Sequence, residues 1–170
     1  MATITYGWGD TIKKKQIMGY AWCPTCGAFK PRYISKLRFR VHISYIPVFI
    51  WPKGSVISCK GCKSYKEISK DEYKELKELF KPIKKGIAKK CFEEIKQICQ
   101  PIMEYTPAIV EEVMMQISQK YPVCVNDVVR DFYSQLVTDV ICSKLENMKA
   151  IQEMQNQQIE GTAVPAAATV

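Results

Sequence analysis

Cysteine is the residue type whose spacing in this chain most directly implies chemistry. Two pairs, Cys23-Pro24-Thr25-Cys26 and Cys59-Lys60-Gly61-Cys62, follow the C-x-x-C pattern. A C-x-x-C turn brings two thiolates to one side of a tight loop. Two such turns facing each other supply the four sulfurs of a closed tetrahedral zinc site. With no coordination position left open, the set implies one structural Zn2+ rather than a catalytic ion. Gly27 suits the knuckle turn, which needs a residue tolerant of positive φ, and Pro24 stiffens it. The 32 residues between the pairs exceed the roughly fifteen to twenty of the common pattern, and a long β-hairpin would span them. A redox C-x-x-C normally stands alone at a helix start in a βαβ unit, and no such unit is legible here. Disulfides need an oxidising compartment, whereas the N-terminus has no basic segment leading into an apolar run, so no signal peptide is read.

Other chemistry is sparse. There is no phosphate-cradling glycine loop, no H-E-x-x-H and no nucleophile elbow, and the sequence is read as that of a non-enzyme. The single histidine, His42, shares a strand face with Arg38 and Arg40 and reads as an exposed strand residue. Glu93-Glu94 and Glu111-Glu112 are adjacent on helices, so each pair diverges into solvent. Cys91, Cys99, Cys124 and Cys142 show no C-x-x-C spacing and read as small hydrophobes rather than a second metal site.

The elements that must position the knuckles follow from periodicity. Leu37, Phe39, Val41, Ile43 and Tyr45 alternate with Lys36, Arg38, Arg40, His42 and Ser44, the pattern of a half-buried strand. Residues 3–9 read as a short extended segment, and Lys13-Lys14-Lys15 as a solvated basic run. Ile46-Pro47-Val48-Phe49-Ile50-Trp51-Pro52 is apolar throughout, and its prolines argue against a central strand. Lys53-Gly54 reads as a turn and Ser55–Ser58 as the return strand. From Ser69 the period becomes helical. Ser69-x-x-Glu72 is a capping box, Tyr73, Leu76 and Phe80 share a face, and Pro82 stops that helix. A second helix carries Ile83, Ile87, Cys91, Ile95, Ile98 and Ile102. A third opens at Thr106-Pro107 as N-cap and N1. A fourth carries a stripe from Val125 to Met148, capped by Asn126 or Asp127. The resulting fold class is α+β: an N-terminal zinc ribbon over 1–68, a region of about four helices over 69–154, and a disordered tail over 155–170.

Residues 7–62 also resemble a known family, the small zinc-ribbon proteins of the zinc-ribbon-fifteen type. The matching pieces are Gly7-Trp8-Gly9, Cys23-Pro24-Thr25-Cys26-Gly27, Ile46-Pro47-Val48-Phe49 and Cys59-Lys60-Gly61-Cys62. The resemblance implies zinc on Cys23, Cys26, Cys59 and Cys62 and no established activity. Lys63 departs from the glycine common after a second knuckle, and the region beyond about residue 70 has no counterpart in the family.

Charge divides the chain. Residues 1–90 hold 20 Lys or Arg and 6 Asp or Glu, a net +14, and residues 91–170 hold 5 and 11, a net −6. Two partner classes follow. Arg32, Lys36, Arg38 and Arg40, interleaved with Phe29, Tyr33 and Phe39, would form a basic strip for RNA or DNA. The apolar tip with Phe49 and Trp51 would serve a protein partner, or, beside Lys53, a membrane surface. The sequence favours a protein-interaction or scaffolding module. No stretch approaches the eighteen or so apolar residues of a membrane span, and the expected location is cytoplasmic.

Overall fold

The computed structural model describes residues 6–43, 46–62 and 64–161. The chain is α+β: β1 (Tyr6–Cys23), β2 (Ala28–Ile43), β3 (Ile46–Cys59) and β4 (Tyr65–Ile68) form one antiparallel sheet in sequence order. They are followed by α1 (Lys70–Leu79), α2 (Lys85–Cys99), α3 (Pro107–Ser118) and α4 (Asp127–Gly161).

The sheet is larger than the single hairpin expected between the knuckles. Residues 3–5 of the segment read as a short extension lie outside the described residues; from Tyr6, that extension and the lysine run read as solvated are one 18-residue strand, β1. Its alternation is hidden in the sequence by register shifts between Lys14 and Gln16 and between Ile17 and Gly19, since each bulge moves the pattern to the other face. The apolar segment 46–52 is also strand, in register with β2 from Ile43↔Ile46 to Arg38↔Pro52. Lys53-Gly54 is therefore not the turn; Lys53 falls at the shift between Leu37 and Arg38, and β2 returns to β3 across residues 44–45, which lie outside the described residues. Pro47 and Pro52 are tolerated because β4 pairs only with Ser55–Ser58. The stretch 46–54 is thus an outer edge, the position in which a strand tolerates proline.

Three of the four helices start at side-chain caps; α2 begins after Lys84 without one. Ser69 Oγ accepts from the Glu72 amide at 3.0 Å, the serine half of the expected capping box. Thr106 Oγ1 accepts from the Ile109 amide at 3.3 Å, and Asn126 Oδ1 from the Val129 amide at 2.9 Å. The fourth helix runs to Gly161, past Gln155, where the tail was expected to begin. Gln, Glu and Met are good helix formers, and no proline or glycine interrupts them before Gly161. Residues 162–170 lie outside the described residues.

Sheet and helices share one hydrophobic core. Ile17, Met18 and Ile34 belong to the same buried cluster as Phe80, Ile95, Ile117, Tyr133 and Ile141. Tyr20 of β1 stacks on Phe92 of α2 with ring centroids 4.4 Å apart and planes 3° off parallel. The Tyr133 hydroxyl of α4 donates to Met18 O at 3.3 Å. Where α4 crosses β1, a Cβ on Gly19 would lie 2.7 Å from Phe132 Cε1, so only glycine allows the approach. On the other face, Ser35, Leu37, Val56 and Ser58 are buried outside that core, and the Ser35 and Ser58 hydroxyls bond at 2.7 Å. Among the described residues, none of 7–12, 38–43 or 46–54 joins the shared core or packs against it. The helices cover the half of the sheet nearest the knuckles, and the other half projects as a three-stranded blade. With 16 residues in β2, the strand is roughly 50 Å long at about 3.3 Å per residue.

Candidate metal centre

The first knuckle closes the β1–β2 hairpin, and the second follows β3. Because β1, β2 and β3 run antiparallel in order, both knuckles arrive at the same end of the sheet. The Cys26 amide donates to Cys23 O at 3.1 Å and the Gly27 amide to Pro24 O at 3.4 Å, with Gly27 at φ +56°, the left-handed value expected for this turn. The second knuckle is tied down by the Lys60 amide on Pro31 O at 3.0 Å and the Cys59 amide on Ser64 O at 3.1 Å. Gly61 sits close to the first knuckle: a Cβ there would lie 3.0 Å from Cys26 Sγ and 3.1 Å from Lys30 Cγ, so a larger residue would have to displace them.

These turns bring the four expected ligands together. The Sγ atoms of Cys23, Cys26, Cys59 and Cys62 all lie within 4.8 Å of one another. Two of the pairs that cross between knuckles, Cys23–Cys62 and Cys26–Cys59, are separated by 3.6 and 3.9 Å. Zinc–thiolate bonds of about 2.3 Å give a tetrahedron with edges of about 3.8 Å, so the cluster has the size of a metal centre. A disulfide needs sulfurs about 2.05 Å apart. The sulfurs also have a supporting shell: the Gly61 amide donates to Cys59 Sγ at 3.3 Å, and Ser64 Oγ lies 2.9 Å from Cys62 Sγ. Such contacts orient metal ligands and tune them.

Without a cation, Cys23, Cys26 and Cys62 ionise unevenly. Burial pushes the Cys23 thiol up, but the Cys26 amide and the hydrogen bonds of the other three thiols outweigh it and bring it down to about 6. Cys26, bonded to Cys62 and desolvated beside Cys23, is pushed up to about 12. The Ser64 hydroxyl and amide hold Cys62 below the ordinary thiol range. A dication favours all four thiolates at once, and its binding releases the remaining protons.

Among the described residues, no other group of three or more Cys, His, Asp or Glu comes together. Cys91 and Cys99 are buried, Cys142 is half-buried and Cys124 exposed. Burial pushes Cys91 to about 12 and Cys99 to about 11, as befits inert core thiols. Glu94 does not stand free in solvent: it is held by Lys120 and accepts from the Tyr121 hydroxyl at 2.8 Å.

The expected contact residues are divided between two faces. Register partners share a face, and β2 alternates, so Phe39 with Trp51 and Val41 with Phe49 lie on one side. Arg38, Arg40 and His42 lie on the other. Phe49 stacks on Trp51 at 5.3 Å, and Phe39 stands 6.2 Å from Trp51. Two cations of the expected basic strip are engaged internally. Arg32 donates to Trp22 O at 2.9 Å. Lys36 donates to Ser55 Oγ at 2.8 Å and sits 3.6 Å over the Tyr73 ring. His42 is half-buried rather than exposed, its Nδ1 donating to Gly7 O at 2.7 Å. Lys53 pairs with Asp10 at 2.7 Å. Sequence reasoning missed Trp8 as a contact residue: its register with Val41 puts it on the Phe49 face, and only a strand through 6–23 reveals that.

Comparison with family models, curated proteins and solved structures finds no match to this chain.

Proposed function

We propose that this protein is a non-catalytic binding module. A structural zinc ion on Cys23, Cys26, Cys59 and Cys62 clasps the sheet as a ribbon, and the blade beyond the helices is its contact surface. The observation that carries the reading is the aromatic and aliphatic side of the blade: Trp8, Phe49 and Trp51 are exposed, although monomeric proteins seldom leave such clusters to water. The four sulfurs would complete the zinc tetrahedron, leaving no position for a reacting water. A cavity of about 480 Å3 beside the second knuckle is lined by Asp10, Thr11, Lys14, Leu37 and Tyr65. Its one carboxylate is tied to Lys53, and its two thiols, Cys59 and Cys62, are those proposed to hold the zinc.

The arrangement favours this contact surface over a nucleic-acid interface. Single-stranded nucleic acid is held by aromatic stacking and phosphate-binding cations acting together, and here the exposed aromatics and Arg38 and Arg40 sit on opposite faces. The test is a capture experiment from cells with wild type and with Phe49→Ser plus Trp51→Ser. The double variant keeps its zinc and its helical circular dichroism but loses its bound component. Identical capture by both proteins contradicts the reading.

A further inference from the structure

We infer that the blade's tip inserts into an anionic lipid surface, with Arg38 and Arg40 as the collar that reaches the headgroups. The inference rests on the proposed reading of the blade as contact surface and adds what it contacts. Exposed apolar groups occur on both faces of the tip. Trp8 is 74% exposed, Phe49 56% and Trp51 51% on one face, Ile50 is 45% exposed on the other, and Ile46 is 68% exposed at the end. A flat protein interface covers one face of a sheet, whereas an apolar phase surrounds what enters it.

The charge pattern has the depth of such a phase. Residues 7–9, 41–43 and 46–50 include no Lys, Arg, Asp or Glu. Arg40 is the first charged residue of β2 behind this zone, three residues from Ile43, or about 10 Å of strand. Interfacial elements bury their apolar side about 5–10 Å deep, so the half-buried side chains of Arg38 and Arg40, the latter with its Nε covered and unpaired, stand at headgroup level when the tip is immersed. Arg38 follows one pleat behind, on the same face. The acid nearest the tip, Asp10, is level with Phe39 and already paired with Lys53. Cations without a neighbouring acid are drawn to phosphatidylserine-rich surfaces, and Trp is favoured at the interface itself.

The backbone and polar groups of the tip fit the same surroundings. His42 is bonded within the blade to Gly7 O. Pro47, within the uncharged zone, carries no N–H on the edge strand β3, where an unpaired donor would be costly in lipid, and Pro52 carries none behind it. The same prolines disfavour the addition of a strand from a protein partner along that edge.

The experiment uses the full-length, zinc-loaded protein sedimented with phosphatidylcholine vesicles with and without phosphatidylserine, and tryptophan quenching by brominated lipid. The expected results are binding to the phosphatidylserine vesicles with quenching, and at least tenfold weaker binding for Phe49→Ser plus Trp51→Ser. Arg38→Gln plus Arg40→Gln weakens binding about thirtyfold, from about 1 kcal/mol per cation. Zinc content and sedimentation velocity of each variant without vesicles establish that it remains folded. The inference is overturned by absence of vesicle binding, by binding that the Phe49 and Trp51 substitutions leave unchanged, or by a dimer that those substitutions dissolve. If vesicles fail while the same double variant still loses a captured protein, the lipid inference falls and the contact-surface reading stands. If it loses neither, both fall.

Discussion

Replacing Gln16 with alanine cuts a side-chain tether between the sheet and the helices. The Gln16 carboxamide donates from β1 to Phe80 O at 2.9 Å and to Ile83 O at 2.8 Å, across the connection from α1 to α2. Both Phe80 and Ile83 are fully buried. Alanine removes two hydrogen bonds worth about 1 kcal/mol each, with more lost if the carbonyls are left dry. The expected loss is about 2 kcal/mol, or a melting temperature lower by about 4–8 °C at this chain length. With an m-value near 2 kcal/mol/M, the urea midpoint falls by about 1 M. The assay is urea unfolding by circular dichroism in zinc-containing buffer. Gln16→Glu keeps the volume but puts a carboxylate without donors against two carbonyls, and at neutral pH it is expected to be at least as damaging. A Gln16→Ala midpoint within about 0.2 M of wild type would refute the argument that this tether joins sheet and helices.

Other perturbations test separate parts of the account. Gly19→Ala forces a Cβ against Phe132 and is expected to cost about 1–3 kcal/mol in the same unfolding assay. Native-state alkylation of zinc-loaded protein, read by mass spectrometry, labels the exposed Cys124 and spares Cys91 and Cys99, and a chelator adds the four knuckle cysteines to the labelled set. Burial raises the Tyr133 phenol above its ordinary value of 10.0. The unfolded chain therefore loses that proton first, and stability falls as pH rises beyond about 10. Tyr133→Phe removes that part of the alkaline loss in a pH series of denaturant midpoints, at a cost of about 1 kcal/mol at neutral pH from its bond to Met18.

What the sequence disclosed was local chemistry. The C-x-x-C spacing marks the four cysteines, and the structure brings them together. Ser69, Thr106 and Asn126 mark helix starts because a cap acts on amides two or three residues away. Long-range pairing left a weaker trace. β1 was hidden because three lysines and two bulges break its alternation. The strand from Ile46 was hidden because its prolines exclude a central position, and only the short reach of β4 makes the stretch an edge. The separation of Phe49 and Trp51 from Arg38 and Arg40 depends on register, which the shifts beside Arg38 and His42 decide. The contact between Met18 and Tyr133 spans 115 residues, and periodicity in either element says nothing of the other. Composition makes the Gln-rich end of α4 look like a tail, where helix propensity points the other way.

The central claim is a zinc clasp, and the most direct measurement is the metal content of the full-length protein purified under reducing conditions. The account predicts one zinc per chain, a tetrathiolate absorption spectrum on cobalt substitution, and loss of that site in Cys59→Ser. A reduced, folded protein with no zinc, and with no affinity for added zinc or cobalt, would contradict it.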